Sequence, residues 1–136
     1  MNPEQIALVE ATLASVDIDA LTADFYRRAF AADPTLSAMF TTDAGMQRAR
    51  FAAELAMIVD SIRSLDTFES RTRALGVRHR GYGVRARHYR VMGTALLAAL
   101  AAALGEAWTE EVEQAWTLAY DLTAESMMIG ATEGSD

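Results

Sequence analysis

Apolar residues recur at intervals of three and four along almost the whole chain, and the alternation expected of strands is nearly absent. The pattern predicts helix in nearly every segment, an all-α chain of helix-on-helix architecture. Asn2, Pro3 and Gln5 have the order of a cap, a first helical residue and a capping-box partner, opening a helix whose core side is Ile6, Val9 and Leu13. After a break at residues 15–19 a second helix carries Leu21, Phe25, Tyr26 and Phe30. Asp33 and Pro34 end it and start a short helix with Leu36, Met39 and Phe40. The polar link Thr41, Thr42, Asp43, Ala44 and Gly45 can cap a helix running to about Ser64. On that helix Gln47, Phe51, Leu55, Ile58 and Ile62 share one face, so a polar residue heads an otherwise apolar stripe.

Asp66, Thr67, Phe68 and Glu69 form a second capping-box signature, for a helix reaching about His79, and Gly81 and Gly83 then break the chain. A long apolar helix is expected from about Val84 to Leu104, stopped by Gly105. Its Val91–Leu104 stretch reads as a buried helix too short to cross a bilayer. Thr109 starts a last helix through Trp116 and Tyr120 toward Met128, with a fraying tail from about Gly130. No repeat or long linker divides the chain, and its 136 residues suit one domain.

Composition narrows the chemistry. The absence of cysteine removes disulfides, thiol catalysis and thiolate metal sites, and two histidines remain, His79 and His88. They stand nine apart, which is not the i, i+4 pairing of a helical zinc site. No phosphate loop, GxSxG elbow or HExxH motif is present. A net charge of −7 argues against general affinity for nucleic acid or anionic membrane. The charge is unevenly spread: residues 71–90 hold seven arginines and no acid, whereas the chain after Arg90 has eight acids and no base. The first residues lack a signal-peptide pattern, so a cytoplasmic setting is expected.

His79 ends a helix before a glycine-interrupted turn, where an imidazole can project into a cleft. One histidine is enough for a cofactor such as haem, which needs a single protein ligand to iron. Read locally, Tyr26 is a buried ring with a wet hydroxyl, Gln47 an exposed residue at a helix start, and Phe40, Phe51 and Trp116 are core. An interaction module with incidental histidines remains an alternative.

Taken together these residues resemble the globins, above all bacterial single-domain haemoglobins and the globin domain of flavohaemoglobins. Val77, Arg78 and His79 through Gly83 and Val84 to His88, Tyr89 and Gly93 are similar to the family's stretch around the iron-ligating histidine. Phe25 and Tyr26 with Phe30, Pro34, Leu36, Met39 and Phe40 resemble its second and third helices, and Ala115, Trp116, Ala119 and Tyr120 its last. The resemblance implies a globin fold around a haem b pocket, His79 as the proximal iron ligand, and Tyr26 and Gln47 as donors to a bound diatomic. It further implies apolar walls from Phe40, Phe51, Leu75, Val84, Met92 and Leu96, and haem-propionate pairing by Arg78 with Arg85 or Arg87. The implied activity is reversible binding of O2, with NO or CO, at a five-coordinate iron, for oxygen delivery or sensing. The alternative is nitric oxide dioxygenation with electrons from a separate flavin reductase. No nucleic-acid or membrane partner is implied, and a monomer or homodimer is expected. In flavohaemoglobins a tyrosine matching Tyr89 and a glutamate contact the proximal histidine; that glutamate falls at Ala131, with Glu133 two residues on.

Overall fold

A computed structural model describes residues 1–40 and 43–133. Among these residues there is no strand. The helices are α1 (Pro3–Ser15), α2 (Ile18–Ala32), α3 (Ala44–Ser61), α4 (Leu65–Gly81), α5 (Ala86–Leu104) and α6 (Glu110–Glu133), with 3-10 segments at Pro34–Met39 and Gly105–Ala107.

Local chemistry explains most of the boundaries. The Asn2 side chain accepts from the Gln5 N–H at 2.8 Å while Gln5 accepts from the Asn2 N–H at 3.0 Å, the reciprocal bond of a capping box. Asp17, Asp33 and Asp43 each cap the helical segment that follows them with a carboxylate oxygen. The capping expected of Thr41 and Thr42 lies outside the described residues. Gly105 ends α5 with φ of +56°, in the left-handed region open to glycine.

Three boundaries differ from the sequence reading. α4 starts at Leu65 with Ser64 in the cap position, so Asp66 sits inside the first turn, where a carboxylate complements the helix dipole, rather than opening a capping box. α5 begins two residues later than expected, because the Arg85 N–H donates to the His88 ring Nδ1 at 2.8 Å and makes Arg85 the cap position. α6 does not fray at Gly130 but continues to Glu133. Its end is tied down: the Arg80 guanidinium donates to the Ala131 carbonyl at 2.7 Å, and Gly130 lies against the Arg73 backbone.

α4 packs most extensively on α6, and α2 on α5. The main core joins Val9, Leu21, Phe25, Leu36, Leu55, Leu96, Leu100 and Trp116, contributed by five of the six helices and the first 3-10 segment. Trp116 Nε1 donates to Thr12 Oγ1 at 2.9 Å, which satisfies the indole and ties α6 to α1. The segment Ala86–Ala107 is long and apolar enough to cross a bilayer by length and composition, contrary to the shorter stretch read from sequence. It buries His88, Tyr89, Leu96 and Leu100 against the other helices, and 28% of its most apolar window is buried.

Two contacts set how α4 meets α6. A Cβ at Gly76 would lie 1.9 Å from the Met127 carbonyl oxygen, so only glycine permits this approach. One turn earlier, Thr72 Oγ1 and Ser126 Oγ are hydrogen bonded at 2.6 Å inside the interface. The crossing places the last turn of α4 over an interior space instead of against a packed neighbour.

Candidate functional site

That last turn carries His79. Its carbonyl accepts from the N–H groups of both Tyr82 and Val84, at 3.0 and 3.1 Å, and Gly83 follows with φ of +91°, so the chain turns away while the imidazole keeps its place. The ring Nδ1 lies 2.9 Å from the Leu75 carbonyl one turn back. A carbonyl can only accept, which assigns the proton to Nδ1 and leaves the lone pair of a neutral ring on Nε2. No described residue hydrogen-bonds Nε2. Burial pushes the imidazole below its ordinary pKa, the Leu75 bond opposes this, and the Arg78 charge adds to the lowering. The neutral form, the one that ligates a metal, is thereby favoured.

His88 stands in a different environment. It is fully buried, Nδ1 accepts from the Arg85 N–H, and Nε2 is covered by the Arg87 guanidinium at 3.3 Å. Burial, then the charges of Arg87 and Arg85, lower its pKa against an opposing contribution from Asp33. Its ring completes the first turn of α5.

His79 faces two adjoining chambers that also share Phe25, Phe51, Glu54 and Met92. The inner chamber is walled by α3 through α6, with Leu55, Leu75, Tyr89, Leu96 and Trp116 among its lining. The outer chamber adds Tyr26, Met39, Phe40, Gln47, Arg50 and Tyr82. The space inside them that a water-sized sphere can occupy is about 90 Å³ in the inner chamber and about 180 Å³ in the outer one. Polar groups are few, so whatever occupies the cleft is desolvated.

Opposite His79 the outer wall is aromatic. The Tyr26 ring lies 5.1 Å from Phe25 and 5.7 Å from both Phe40 and Phe51, and Phe25 stacks on Phe51 at 4.4 Å. Burial, with a smaller contribution from the Glu54 charge, pushes the Tyr26 phenol up to about 12, so it remains a donor at neutral pH. Its hydroxyl donates to the Gln47 main-chain carbonyl at 3.5 Å, the long limit of a hydrogen bond. The locally favoured reading of an exposed Gln47 is corrected: it is half-buried and lines this chamber.

The structure therefore brings His79, Tyr26, Gln47, Phe40, Phe51, Leu75, Tyr89, Met92 and Leu96 to one cleft. It leaves others outside. Val84 is buried against Leu75 and Tyr89 but lines neither chamber. Arg78 is exposed, and Arg85 turns to the Val84 carbonyl at 3.2 Å in a separate groove, so these arginines do not line the cleft. Ala131, where the resemblance places a glutamate, is in α6 with its carbonyl held by Arg80.

Glu54 was missed by the sequence reading. It stands seven residues after Gln47, two helical turns along the same face, a signal masked by the apolar stripe of Phe51, Leu55 and Ile58. Tyr120 also lines the inner chamber, and its hydroxyl donates to the Tyr89 carbonyl at 2.5 Å, fixing α5 against α6 behind His79.

The globin family profile matches residues 23–127, which include every cleft residue named above. The chain belongs to the globin family. Among curated relatives it is 34% identical over 135 residues to a flavohemoprotein of Bordetella pertussis, covering 96% of this chain and 33% of that protein. A flavohemoprotein of Deinococcus radiodurans is 31% identical over 98% of this chain and 34% of its own length. The globin chain thus spans about a third of the length of these relatives. Among solved structures, a hexacoordinated haem protein from an anhydrobiotic tardigrade superposes with a TM-score of 0.87 at 15% identity, covering 97% of this chain and 96% of that one. At that identity the likeness concerns the globin fold.

Proposed function

We propose that this globin binds haem b between α3 and α4, with His79 as the protein ligand to iron, and reversibly binds O2, NO or CO in the outer chamber. The observation that carries the reading is His79 itself, which lines an apolar cleft with Nδ1 held by the Leu75 carbonyl and with no partner for Nε2 among the described residues. The residues present fit the group: one neutral imidazole donor, walls of Phe40, Phe51, Leu75, Met92 and Leu96, and polar donors opposite. When bound, haem supplies an iron centre with an open coordination position for a diatomic.

The chain's own residues do the rest. The Leu75 carbonyl fixes the ring and tautomer of His79 and raises its basicity as a ligand. Phe25, Phe51 and Met92 exclude water from the cleft, which strengthens each hydrogen bond made there. Tyr26, whose bond to the Gln47 carbonyl is long and easily exchanged, turns its hydroxyl to a diatomic, and the Gln47 side chain offers a second donor. Purified protein loaded with haem should show a Soret band that shifts on reduction and again with CO. A chain showing no Soret band after haem addition is not a haem protein. Tyr26→Phe should speed O2 release roughly fivefold, the equivalent of about 1 kcal/mol for one lost hydrogen bond, as measured by stopped-flow displacement. An unchanged off-rate assigns the stabilisation to Gln47 or to water.

The similarity to flavohemoproteins favours a second reading, nitric oxide dioxygenation with electrons from a separate flavin reductase. Ala131 stands where the resemblance places a carboxylate behind the proximal histidine, which weakens that reading relative to simple binding. Mixing haem-loaded protein with O2, NO and an electron donor in stopped flow separates the two. Sustained NO consumption establishes turnover, and its absence leaves binding alone. The cytoplasm is the proposed setting for either.

A further inference from the structure

The described side chains lining the two chambers include one carboxylate, Glu54. It is half-buried on α3 and borders both chambers, on the wall facing the last turn of α4. No described side chain lies within hydrogen-bond or ion-pair distance of its oxygens, and Arg50 and Arg78 act on it only through space. Both arginines are exposed, so solvent and salt screen them. A carboxylate in an apolar cleft without a bonded partner bears most of its desolvation cost while charged, and any negative charge added to the cleft increases that cost.

We infer that Glu54 is the redox-linked proton acceptor of this cleft, taking one proton from solvent when the haem iron gains one electron. The inference rests on the haem-binding reading above. The step would balance simply: an electrode mediator would supply one electron to the bound haem, and water would supply one proton to the Glu54 carboxylate, which becomes a carboxylic acid. The other titratable groups facing the cleft do not compete. His79 from α4 has Nδ1 held by the Leu75 carbonyl, and Nε2 would be taken by the iron of a bound haem. Burial holds Tyr26 of α2 and Tyr89 of α5 protonated, with values near 12, and pushes Tyr120 of α6 higher still. Arg50 and Arg78 are exposed, and Tyr82 of the α4–α5 turn is half exposed. Burial already raises the Glu54 pKa above the ordinary carboxylate value, with Arg78 and then Arg50 opposing.

The test is the midpoint potential of the haem-loaded protein against pH, by spectroelectrochemistry. In the unaltered protein the potential should fall with rising pH across the weakly acidic range. The total fall is 59 mV for each tenfold difference in proton affinity between the two oxidation states. Glu54→Gln should remove this component, whereas Glu54→Asp should retain it. Any propionate contribution is common to all three proteins and cancels in the comparison. A Glu54→Gln protein with the unaltered pH dependence, or no dependence in any protein, overturns the inference. Should Glu54→Gln fail to fold, proton uptake on electrode reduction is followed with a pH-sensitive dye in the unaltered protein and in Glu54→Ala, and uptake undiminished in Glu54→Ala counts against the inference. The Soret and CO spectra report haem binding separately. A chain that takes up no haem overturns both readings; one that takes it up without the predicted difference overturns only the role of Glu54.

Discussion

His79→Ala should abolish stable haem incorporation, while His88→Ala should leave it in place. The two histidines are alike in sequence terms, and their surroundings separate them. Removing the His79 ring takes away the imidazole that faces the cleft and leaves apolar walls that offer no nitrogen donor to an iron. Removing the His88 ring opens a cavity beneath the first turn of α5 and leaves the Arg85 N–H without its acceptor. That loss costs about 2–3 kcal/mol of stability, tolerable within a typical margin of roughly 5–15 kcal/mol. Soret absorbance after haem addition and desalting, together with thermal unfolding, checks both halves of the expectation; equal haem retention by the two variants would refute His79 as the ligand. The pH dependence follows with a definite sign. The folded pKa of His79 lies below its unfolded value of about 6.5, so the contribution of the neutral buried ring is complete above that value. It is lost as pH falls from there toward the folded pKa, and since the same protonation removes the metal ligand, acid should release haem before it unfolds the chain.

Gly76→Ala should be the most damaging change of a single methyl group. The added Cβ would lie 1.9 Å from the Met127 carbonyl oxygen and 2.5 Å from its carbon, both main-chain atoms that cannot rotate aside. Overpacking against movable side chains costs about 1–3 kcal/mol, and here α4 and α6 must separate, so about 3 kcal/mol or more is expected. Separation also disturbs the buried Thr72–Ser126 hydrogen bond and the placement of His79 one helical turn further on. Chemical denaturation should show a midpoint fall at unchanged slope, accompanied by faster haem loss. An alanine variant with unaltered stability would mean that the crossing is looser than its geometry shows.

Much of this was legible in the chain. Asn2 and Gln5, Asp33 with Pro34, and Gly105 mark helix ends because each acts within a few residues of itself, and local hydrogen bonding is what a linear pattern records. Tyr26, Gln47 and His79 came together only through resemblance to a family, since 21 residues separate the first two and nothing local relates either to His79. The end of α6 was misjudged for the same reason: its last turn is held by Arg80 and the backbone of Arg73, from an element far away in the chain. Glu54 was overlooked because periodicity registers which face a residue occupies and not whether that face meets a core or a cavity.

By itself, then, the sequence determined an all-helical chain, its main breaks, and a chemistry with no thiol and two imidazoles to choose between. Resemblance to the family singles out His79; only the tertiary structure shows how the surroundings of the two rings differ, with both nitrogens of His88 covered and His79 lining an apolar cleft that has Glu54 at its border. The reason is physical: helix formation depends on neighbours within four residues, whereas desolvation and access depend on which distant helices close over a side chain.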